Sequence, residues 1–512
     1  MLAKCYSGAV AGGDAQTVEI EVCSTIGTSQ FAIVGLPDTA VKEARDRIPA
    51  ALRNQGLAMR REYDVTVNLA PADVRKEGPI YDLPIAICLL KATQRLRTEE
   101  LAEYALVGEL ALSGEVRRVK GILPIVLEMK RIGKRAVLVP EGNVVEASVV
   151  AGIDVIPVRT LREAAQYLAG EVVIEPCFTD LADLVESDRE GGDDFADVKG
   201  QDGAKRAIEV AVAGGHNLLM VGSTGAGKTM LARRIPSILP PLTPEEALEV
   251  TRIHSVAGVL KARESLVVRR PFRAPHHTVS DAGLLGGGTH PVPGEVSLAH
   301  RGVLFLDEFP EFRRNVLEVM RQPLEDGHVA ISRVSAACDF PSRFMLVAAM
   351  NPCPCGYADD PKHACRCTQR QIAAYRAKIS GPLLDRIDIQ IALPPVPFRE
   401  IVDLPAGESS AAIRARVVAA REIQKRRFAG LRGIHCNAEI PARDLPRFCR
   451  LDTAAQEEMR LMLAQLDLSA RAYDRVLKVA RTIADLAGSP NVTAEHVGEA
   501  STFRELDRTY WD

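Results

Sequence analysis

The chain has 512 residues and a formal net charge of −3, and its composition is 47% hydrophobic and 26% charged. This length exceeds one ordinary domain, and the composition suits globular domains with sizeable cores. Aromatic residues make up only 4% of the chain, which argues against an extended aromatic stacking surface, and the overall charge means that nucleic-acid binding would need a local basic surface.

The amino-terminal sequence MLAKCYSGAVAGGDAQ lacks the apolar segment of a signal peptide. No apolar run reaches the ~18 residues that a membrane span needs. We therefore expect a cytoplasmic protein without a membrane partner. Disulfides are rare in that compartment, so clustered cysteines there predict metal or redox chemistry.

Residues 1–170 have the pattern of a mixed α/β domain. AQTVEIEVCSTI and YDVTVNLA alternate in the manner of strands, and RAVLVP and DVIPV are typical of short buried strands. Helices are predicted in TAVKEARDRIPAALRNQG and GILPIVLEMKRIG. The sequence thus predicts a first α/β domain.

Residues 171–197 are predicted to form an acidic linker, because residues 179–198 carry eight carboxylates and one arginine. Residues 198–395 alternate strand, loop and helix, as a nucleotide-binding α/β domain does. Residues 396–512 are mostly helical, with Ile413, Val417 and Ala420 on the same face as Ile423.

The segment HNLLMVGSTGAGKTMLARRI is a predicted strand, glycine-rich loop and helix that together fit a phosphate-binding loop. Backbone N–H groups of such a loop surround phosphate oxygens, Lys228 neutralises phosphate charge, and the Thr229 hydroxyl is a ligand for Mg²⁺. The predicted ATP-binding residues are Gly222, Ser223, Thr224, Gly225, Ala226, Gly227, Lys228 and Thr229.

The segment GVLFLDEF supplies two carboxylates at the end of an apolar strand. Ligands of open α/β sheets bind at the carboxyl ends of the strands. Asp307 is therefore predicted to hold Mg²⁺ and Glu308 to polarise the attacking water.

Two further polar residues are predicted to complete the catalytic site. Asn351 follows the apolar strand FMLVAAM and would bond the γ-phosphate or the attacking water, although a turn-forming role before Pro352 is an alternative. Arg386 would reach the γ-phosphate of a neighbouring subunit, although a local pair with Asp385 or Asp388 is an alternative.

Four of the eleven cysteines lie close together between residues 353 and 367. Two C-x-C pairs suit tetrahedral Zn²⁺, with His363 as a possible replacement for one sulfur. Free surface thiols and a redox pair are the alternatives. The predicted ligands are Cys353, Cys355, Cys365 and Cys367.

These motifs in this order resemble the magnesium-chelatase-like AAA+ ATPases of the YifB/ComM family. The resemblance is carried by FRAPHHTVSDAGLLGGG, HRGVLFLDEFPEF, AAMNPCPCG, KISGPLLDRIDI and SARAYDRVLKVARTIADL as well as by the phosphate loop. It implies a P-loop AAA+ α/β core with β-hairpin inserts and a C-terminal α-helical lid. It also implies a homo-oligomer, with six subunits as the expectation.

The resemblance also assigns roles to individual residues. Asn351 matches sensor 1, Arg386 the arginine finger acting across subunits, and Arg471 the sensor 2 arginine, with Arg475 as a rival for that role. The segments 269–302 and 327–345 match inserts that in ring helicases point into the pore. The first insert is locally basic, and a ring would repeat this charge around its channel, although a structural hairpin that contacts its own domain is the alternative. The basic residues are Arg269, Arg270, Arg273, His276 and His277.

The N-terminal domain resembles the proteolytic domain of Lon, which uses a serine and a lysine. Here Ile80 follows the Gly78-Pro79 turn where the serine is expected, and no lysine stands after Gly121 where the base is expected. The resemblance therefore implies a proteolytically inactive domain kept for assembly or for binding a protein partner.

The leading hypothesis is an ATP-driven ring motor acting on single-stranded or branched DNA. The ComM branch of the family is associated with branch migration during natural transformation. The alternative is a protein-remodelling ATPase of the magnesium-chelatase type. An active protease is disfavoured because of Ile80 and the missing lysine.

Overall fold

The computed structural model describes residues 1–59, 61–180, 193–261, 266–288, 291–333, 336–358, 360, 363–394, 405–431, 433–466 and 470–511. The middle of the predicted acidic linker, residues 181–192, lies outside these ranges. No helix within them is long and apolar enough to cross a membrane.

The N-terminal domain contains a mixed seven-stranded sheet of order β3-β4-β2-β1-β5-β8-β9. The four strands predicted from alternation and apolar runs are all present. A short hairpin, β6–β7, stands beside the sheet. The strands are β1 Leu2–Ala11, β2 Asp14–Ile26, β3 Phe31–Val34, β4 Tyr63–Ala70, β5 Tyr104–Leu106, β6 Glu109–Leu110, β7 Val116–Arg117, β8 Ala136–Pro140 and β9 Asp154–Val158.

Helices cover both faces of this sheet, and the two apolar clusters between them and the sheet form the core of the domain. Ile80, at the position expected for the Lon serine, is partly buried and packs against both clusters. The helices are α1 Thr39–Lys42, α2 Ala44–Asn54, α3 Asp82–Ala92, α4 Ile122–Arg131, α5 Val144–Ala147 and α6 Leu161–Leu168.

The second sheet is parallel and has the order β11-β14-β17-β10-β18, so the phosphate-loop strand β10 lies between two neighbours. Strands β10, β14 and β17 are apolar and fully buried, as expected for a parallel sheet with both faces covered, whereas β18 is exposed at Ala392 and the short β11 is half-buried. They are β10 Leu218–Gly222, β11 Phe272–Arg273, β14 Val303–Leu306, β17 Met345–Met350 and β18 Ile389–Leu393.

Alternate residues of these strands enter two different cores. Leu218 and Met220 pack against the helical C-terminal part, whereas Leu219 and Val221 pack against the inserts. The expected hairpin inserts are present as β12 Gly286–Gly287 with β13 Val292–Pro293, and as β15 His328–Arg333 with β16 Ala336–Pro341.

The helices of this core flank the sheet and the inserts. Phe195 of a short 3₁₀ helix, Phe195–Asp197, is buried in the same core, so the chain is already anchored there before residue 198. The helices are α7 Asp202–Gly214, α8 Lys228–Ile238, α9 Pro244–Ala257, α10 Asp281–Leu285, α11 Glu295–Leu298, α12 Arg314–Val319, α13 Arg321–Asp326, α14 Gln369–Arg376 and α15 Gly381–Leu384.

The C-terminal part is helical, as predicted. In its long first helix Ile413, Val417 and Ala420 are buried, and Ile423 is partly buried. The helices are α16 Ser410–Arg427, α17 Leu445–Phe448, α18 Thr453–Leu466, α19 Ala470–Leu486, α20 Ala494–Thr502 and α21 Leu506–Thr509.

The N-terminal domain contacts the second domain mainly through helix α9. Ser255 donates its hydroxyl to the buried carboxylate of Glu146, and its carbonyl accepts the N–H of Gly121 at 3.2 Å. Arg252 pairs with Asp14 at 2.6 Å in a more exposed position. The docking surface therefore combines one buried polar contact with one peripheral ion pair.

We expect Ser255→Ala to loosen the N-terminal domain. The variant removes a hydrogen-bond donor from the buried Glu146, which costs about 1–3 kcal/mol. Limited proteolysis of the 171–193 segment and thermal unfolding should both show the effect. Arg252→Ala is the matched control, since an exposed ion pair contributes ~1 kcal/mol or less. Wild-type cleavage rates and melting in Ser255→Ala would contradict this role.

Candidate active site

The phosphate loop joins β10 to helix α8 at the carboxyl edge of the parallel sheet. Gly225 and Gly227 have φ angles of 84° and 86°, a backbone conformation that residues other than glycine rarely adopt. These turns place the loop around the start of α8, where free N–H groups and the helix dipole favour an anion. Within the described residues the buried Ser223 hydroxyl has no hydrogen-bond partner, so a polar group remains for a ligand.

The ammonium group of Lys228 lies inside this loop. It donates to the carbonyls of Gly222 at 2.6 Å and Ser223 at 3.0 Å, and to the Asn351 side chain at 3.0 Å. Burial lowers the pKa of Lys228, while the negative charge of Asp307 opposes that shift. A partly desolvated cation held by neutral oxygens is well suited to bind a phosphate.

Thr229 and Asp307 meet as the sequence predicted. The Thr229 hydroxyl donates to the Asp307 carboxylate at 2.6 Å, across neighbouring ends of α8 and β14. A hydroxyl and a carboxylate are both oxygen donors, which Mg²⁺ prefers, and Mg²⁺ takes its remaining ligands from water and phosphate. The pair therefore fits Mg²⁺.

Glu308 stands next to Asp307 in a left-handed conformation, with φ of 53°. Its side chain is 54% exposed, and one carboxylate oxygen lies 3.1 Å from Nδ1 of His277, a contact that is an ion pair when the imidazole is protonated. In this arrangement the carboxylate that was predicted to polarise water is engaged by an imidazole. The sequence had assigned His277 to a DNA-facing insert, and nothing in its spacing signalled this contact.

Asn351 reaches the phosphate loop, since it accepts the Lys228 hydrogen bond. Its backbone is fixed as well, because the Tyr510 hydroxyl contacts the carbonyls of Asn351 at 3.4 Å and Pro352 at 3.1 Å. The side chain is thus positioned beside the site expected for the terminal phosphate, and not merely in a turn before proline.

Gln201 is a loop contact that sequence reasoning missed. Its side-chain amide donates to the carbonyl of Ala226 at 2.7 Å, from a residue with a positive φ of 56°. The only sequence signal was the glycine in Val-Lys-Gly-Gln, which indicates a turn directly before helix α7.

Arg386 lies at the other edge of the same sheet, formed by the amino ends of the strands, whereas the phosphate loop lies at their carboxyl ends. It precedes β18, whose residue Ile389 pairs with Leu218, whereas Gly222 pairs with Leu393. A five-residue strand at ~3.3 Å per residue puts the two edges roughly 13–16 Å apart. Arg386 pairs with Glu325, and not with the alternatives Asp385 or Asp388.

The two lid arginines also lie at this second edge. Arg471 is 72% exposed and pairs with Asp385 at 3.3 Å, while Arg475 is more buried and lies 3.8 Å from Asp388. Both arginines therefore lie at the end of the sheet away from the phosphate loop of their own chain. A nucleotide contact by Arg471 therefore stays a prediction.

The predicted basic patch of the first insert is partly neutralised. Arg273 forms two 2.7 Å hydrogen bonds with Glu295. Arg270 pairs with Glu246 at 2.9 Å and donates to backbone carbonyls. These two arginines therefore pair within their own domain, and DNA binding by the insert stays a prediction.

The four clustered cysteines converge. Their sulfur atoms all lie within 4.8 Å of one another. The Cys353 sulfur lies 3.3 Å from that of Cys355 and 3.7 Å from that of Cys365, and the latter two are 3.6 Å apart. These separations are too long for a disulfide and near the ~3.8 Å expected for sulfurs around tetrahedral Zn²⁺. Backbone N–H groups of Arg366 and Tyr357 lower the pKa of Cys355 to about 6. His363 instead bonds Asp360.

Comparison with known proteins gives consistent matches along the chain. Three family models match the chain. The model of magnesium chelatase subunit ChlI matches residues 194–401, and the model of subunit ChlI of Mg-chelatase matches residues 18–143. The ChlI C-terminal model matches residues 407–504. The uncharacterized protein YifB of Escherichia coli is 43% identical over 98% of this chain and 97% of its own length.

Two further relatives bear on function. The competence protein ComM of Haemophilus influenzae is 42% identical over 99% of this chain and 98% of its own length. An archaeal Lon protease of Methanocaldococcus jannaschii is 35% identical over 78 residues, which is 15% of this chain and 12% of its own length. The second match supports the Lon-like resemblance over a short stretch only.

We expect Lys228→Ala and Glu308→Gln to fail at different steps. Without the ammonium group the loop should lose nucleotide binding, whereas the glutamine variant should bind ATP but hydrolyse it roughly 10²–10⁴-fold more slowly, the usual effect of losing a general base. Fluorescent-nucleotide binding and phosphate release measure the two steps separately. Wild-type turnover in Glu308→Gln would contradict its assigned role.

We expect His277→Ala to raise basal ATP turnover, because it releases Glu308 from the ion pair. An exposed pair contributes ~1 kcal/mol at most, so the increase should not exceed about fivefold. His276→Ala, at the neighbouring stacked imidazole, is the control. A fall in turnover instead would show that His277 assists Glu308.

Proposed function

Because the chain belongs to the magnesium-chelatase-like AAA+ family that includes YifB and ComM, we propose that it is an ATP-hydrolysing ring motor and DNA helicase that drives branch migration in natural transformation or homologous recombination. The ATPase part is carried by one observation, the convergence of Lys228, Thr229, Asp307 and Asn351 at one sheet edge. The DNA part is supported by a full-length relative that is named a competence protein.

The residues divide the chemistry among them. Lys228 and the loop N–H groups bind the phosphates, and Asn351 is placed to bond the γ-phosphate. Bound Mg²⁺, held through Thr229 and Asp307, would neutralise charge that develops on the phosphate oxygens. Glu308 accepts a proton from the attacking water once His277 no longer engages its carboxylate.

The arginines at the other edge imply an assembly. A chain whose Arg386 and Arg471 lie away from its own phosphate loop can use them on the nucleotide of a neighbour. A head-to-tail interface of this kind closes into a ring, and we propose a hexamer. The predicted nucleotide contact of Arg471 is part of this proposal.

The Lon-like domain is proposed to bind a partner or to support assembly, without proteolysis. Ile80 packs in apolar clusters at the position expected for the nucleophile. The turn at Gly12 touches the β15–β16 hairpin, where an added Cβ would lie 3.3 Å from the Asp339 carbonyl oxygen. The domain therefore contacts an insert that is expected to move with the motor.

We propose Zn²⁺ as the ion of the cysteine cluster, since four sulfurs at these distances suit it. The proposal includes a cytoplasmic setting, where thiols stay reduced. Metal analysis of the purified chain should give about one zinc per subunit.

The alternative function is a protein-remodelling ATPase of the magnesium-chelatase type. The pairing of Arg270 with Glu246 and of Arg273 with Glu295 favours it, because it reduces the positive surface offered to DNA. Under this alternative the N-terminal domain would present the protein client.

We expect Arg386→Ala and Lys228→Ala subunits to restore turnover when mixed. Each variant alone should be inactive, but a Lys228→Ala subunit can supply Arg386 to the intact phosphate loop of an Arg386→Ala neighbour. With random mixing of equal amounts, about a quarter of the head-to-tail interfaces join a subunit that keeps Arg386 to a phosphate loop that keeps Lys228. Phosphate release is compared with each variant alone. A mixture as inactive as its components would contradict action across subunits.

A labelled branched DNA tests the motor function. We expect wild-type protein with ATP and Mg²⁺ to move the branch and to hydrolyse ATP faster when DNA is present, while Glu308→Gln does neither. Branch movement and phosphate release are followed together. Steady hydrolysis with neither DNA stimulation nor movement would support the protein-remodelling alternative.

A further inference from the structure

The loop that carries the cysteine cluster is packed against the phosphate loop. Gly356 follows Cys355 and has a φ of 84°. A Cβ added to it would lie 2.5 Å from the Thr224 hydroxyl oxygen and 3.9 Å from Cγ of Asn351. Only a residue without a side chain allows this approach, so the cysteine loop forms one wall of the nucleotide site.

One ligand of the cluster is anchored to the sheet. Cys353 is fully buried, two residues beyond Asn351. The carbonyl of the intervening Pro352 accepts hydrogen bonds from Tyr510 at 3.1 Å and from Arg376 at 3.4 Å. Only Pro352 separates Cys353 from Asn351, the residue whose side chain contacts Lys228.

The remaining ligands come from the loop itself. The backbone N–H of Tyr357 faces the Cys355 sulfur, and that of Cys367 faces the Cys365 sulfur. A third N–H, from Ala358, lies 3.2 Å from the Cys353 sulfur. A dication would offset the repulsion between four thiolates held this close.

We propose that Zn²⁺ bound by the four cysteines sets the affinity of the phosphate loop for nucleotide, by holding Gly356 against Thr224 and Asn351 beside Lys228. The inference rests on the proposed ATP and zinc sites and adds a coupling between them. Such coupling is reciprocal: nucleotide must raise the affinity for zinc by the factor by which zinc raises the affinity for nucleotide.

Removal of one ligand tests the first half of the coupling. Cys365 is exposed and lies in the second cysteine pair, so Cys365→Ser alters the metal site while Gly356 and Thr224 stay unchanged. We expect zinc loss and about tenfold weaker binding of a fluorescent ATP analogue, equivalent to about 1.4 kcal/mol. Cys23→Ser, at an exposed cysteine of the N-terminal domain, should keep wild-type zinc and affinity.

The wild-type protein tests the second half without any mutation. A zinc-chelating dye competes for the metal with and without a non-hydrolysable ATP analogue, and circular dichroism monitors the fold throughout. We expect the analogue to strengthen zinc retention about tenfold, by reciprocity. Lys228→Ala should keep its zinc but show no effect of the analogue.

Gly356→Ala tests the route. We expect it to retain zinc and yet bind nucleotide more weakly, because its Cβ would meet Thr224. Wild-type affinity in this variant would overturn the contact as the route.

A zinc-free chain with wild-type nucleotide affinity would overturn the coupling. A wild-type chain that never binds zinc would overturn the metal assignment, and one that binds zinc but not ATP would overturn the proposed function alone.

Discussion

The buried ammonium group of Lys228 is the constraint on which the nucleotide site depends. Two phosphate-loop carbonyls and Asn351 hold it, and burial lowers its pKa even though Asp307 acts in the other direction. A cation with neutral partners in a poorly hydrated site interacts strongly with any anion that displaces water. The glycine turns of the loop place free N–H groups at the start of α8, an arrangement that suits a phosphate group.

The parallel sheet separates this cation from Arg386 and Arg471, the arginines proposed to act on the nucleotide of a neighbour. Asn217, immediately before β10, accepts the N–H of Leu346 at 2.8 Å and donates to the carbonyl of Arg386 at 2.8 Å. The same residue thus joins three neighbouring strands and fixes the segment that carries Arg386. Since a strand cannot bring its two ends together, the proposed action of Arg386 on a bound nucleotide calls for a second chain, and under this proposal catalysis depends on assembly.

The sequence was sufficient for what depends on local pattern. The phosphate loop, the strand ending at Asp307, the cysteine cluster and the main strands were predictable because glycine turns, apolar runs and ligand spacing act over a few residues. Contacts between distant segments were not predictable. His277 meets Glu308 across an insert, Gly356 touches Thr224, and Arg273 is neutralised by Glu295, and each depends on packing that no periodicity encodes. The pairing of Arg270 and Arg273 within the fold was unpredictable for this reason, since charge in a segment does not show which charges its own fold pairs.

The composite site can be measured most directly by following ATP turnover per subunit against protein concentration, with sedimentation at the same concentrations. If the nucleotide is bound at one edge and completed by a neighbour's opposite edge, turnover per subunit should rise from near zero in step with the assembled fraction. Nucleotide binding should already be present in the unassembled chain. Equal turnover from unassembled and assembled chains would show that one chain contains the whole catalytic site and would contradict the account.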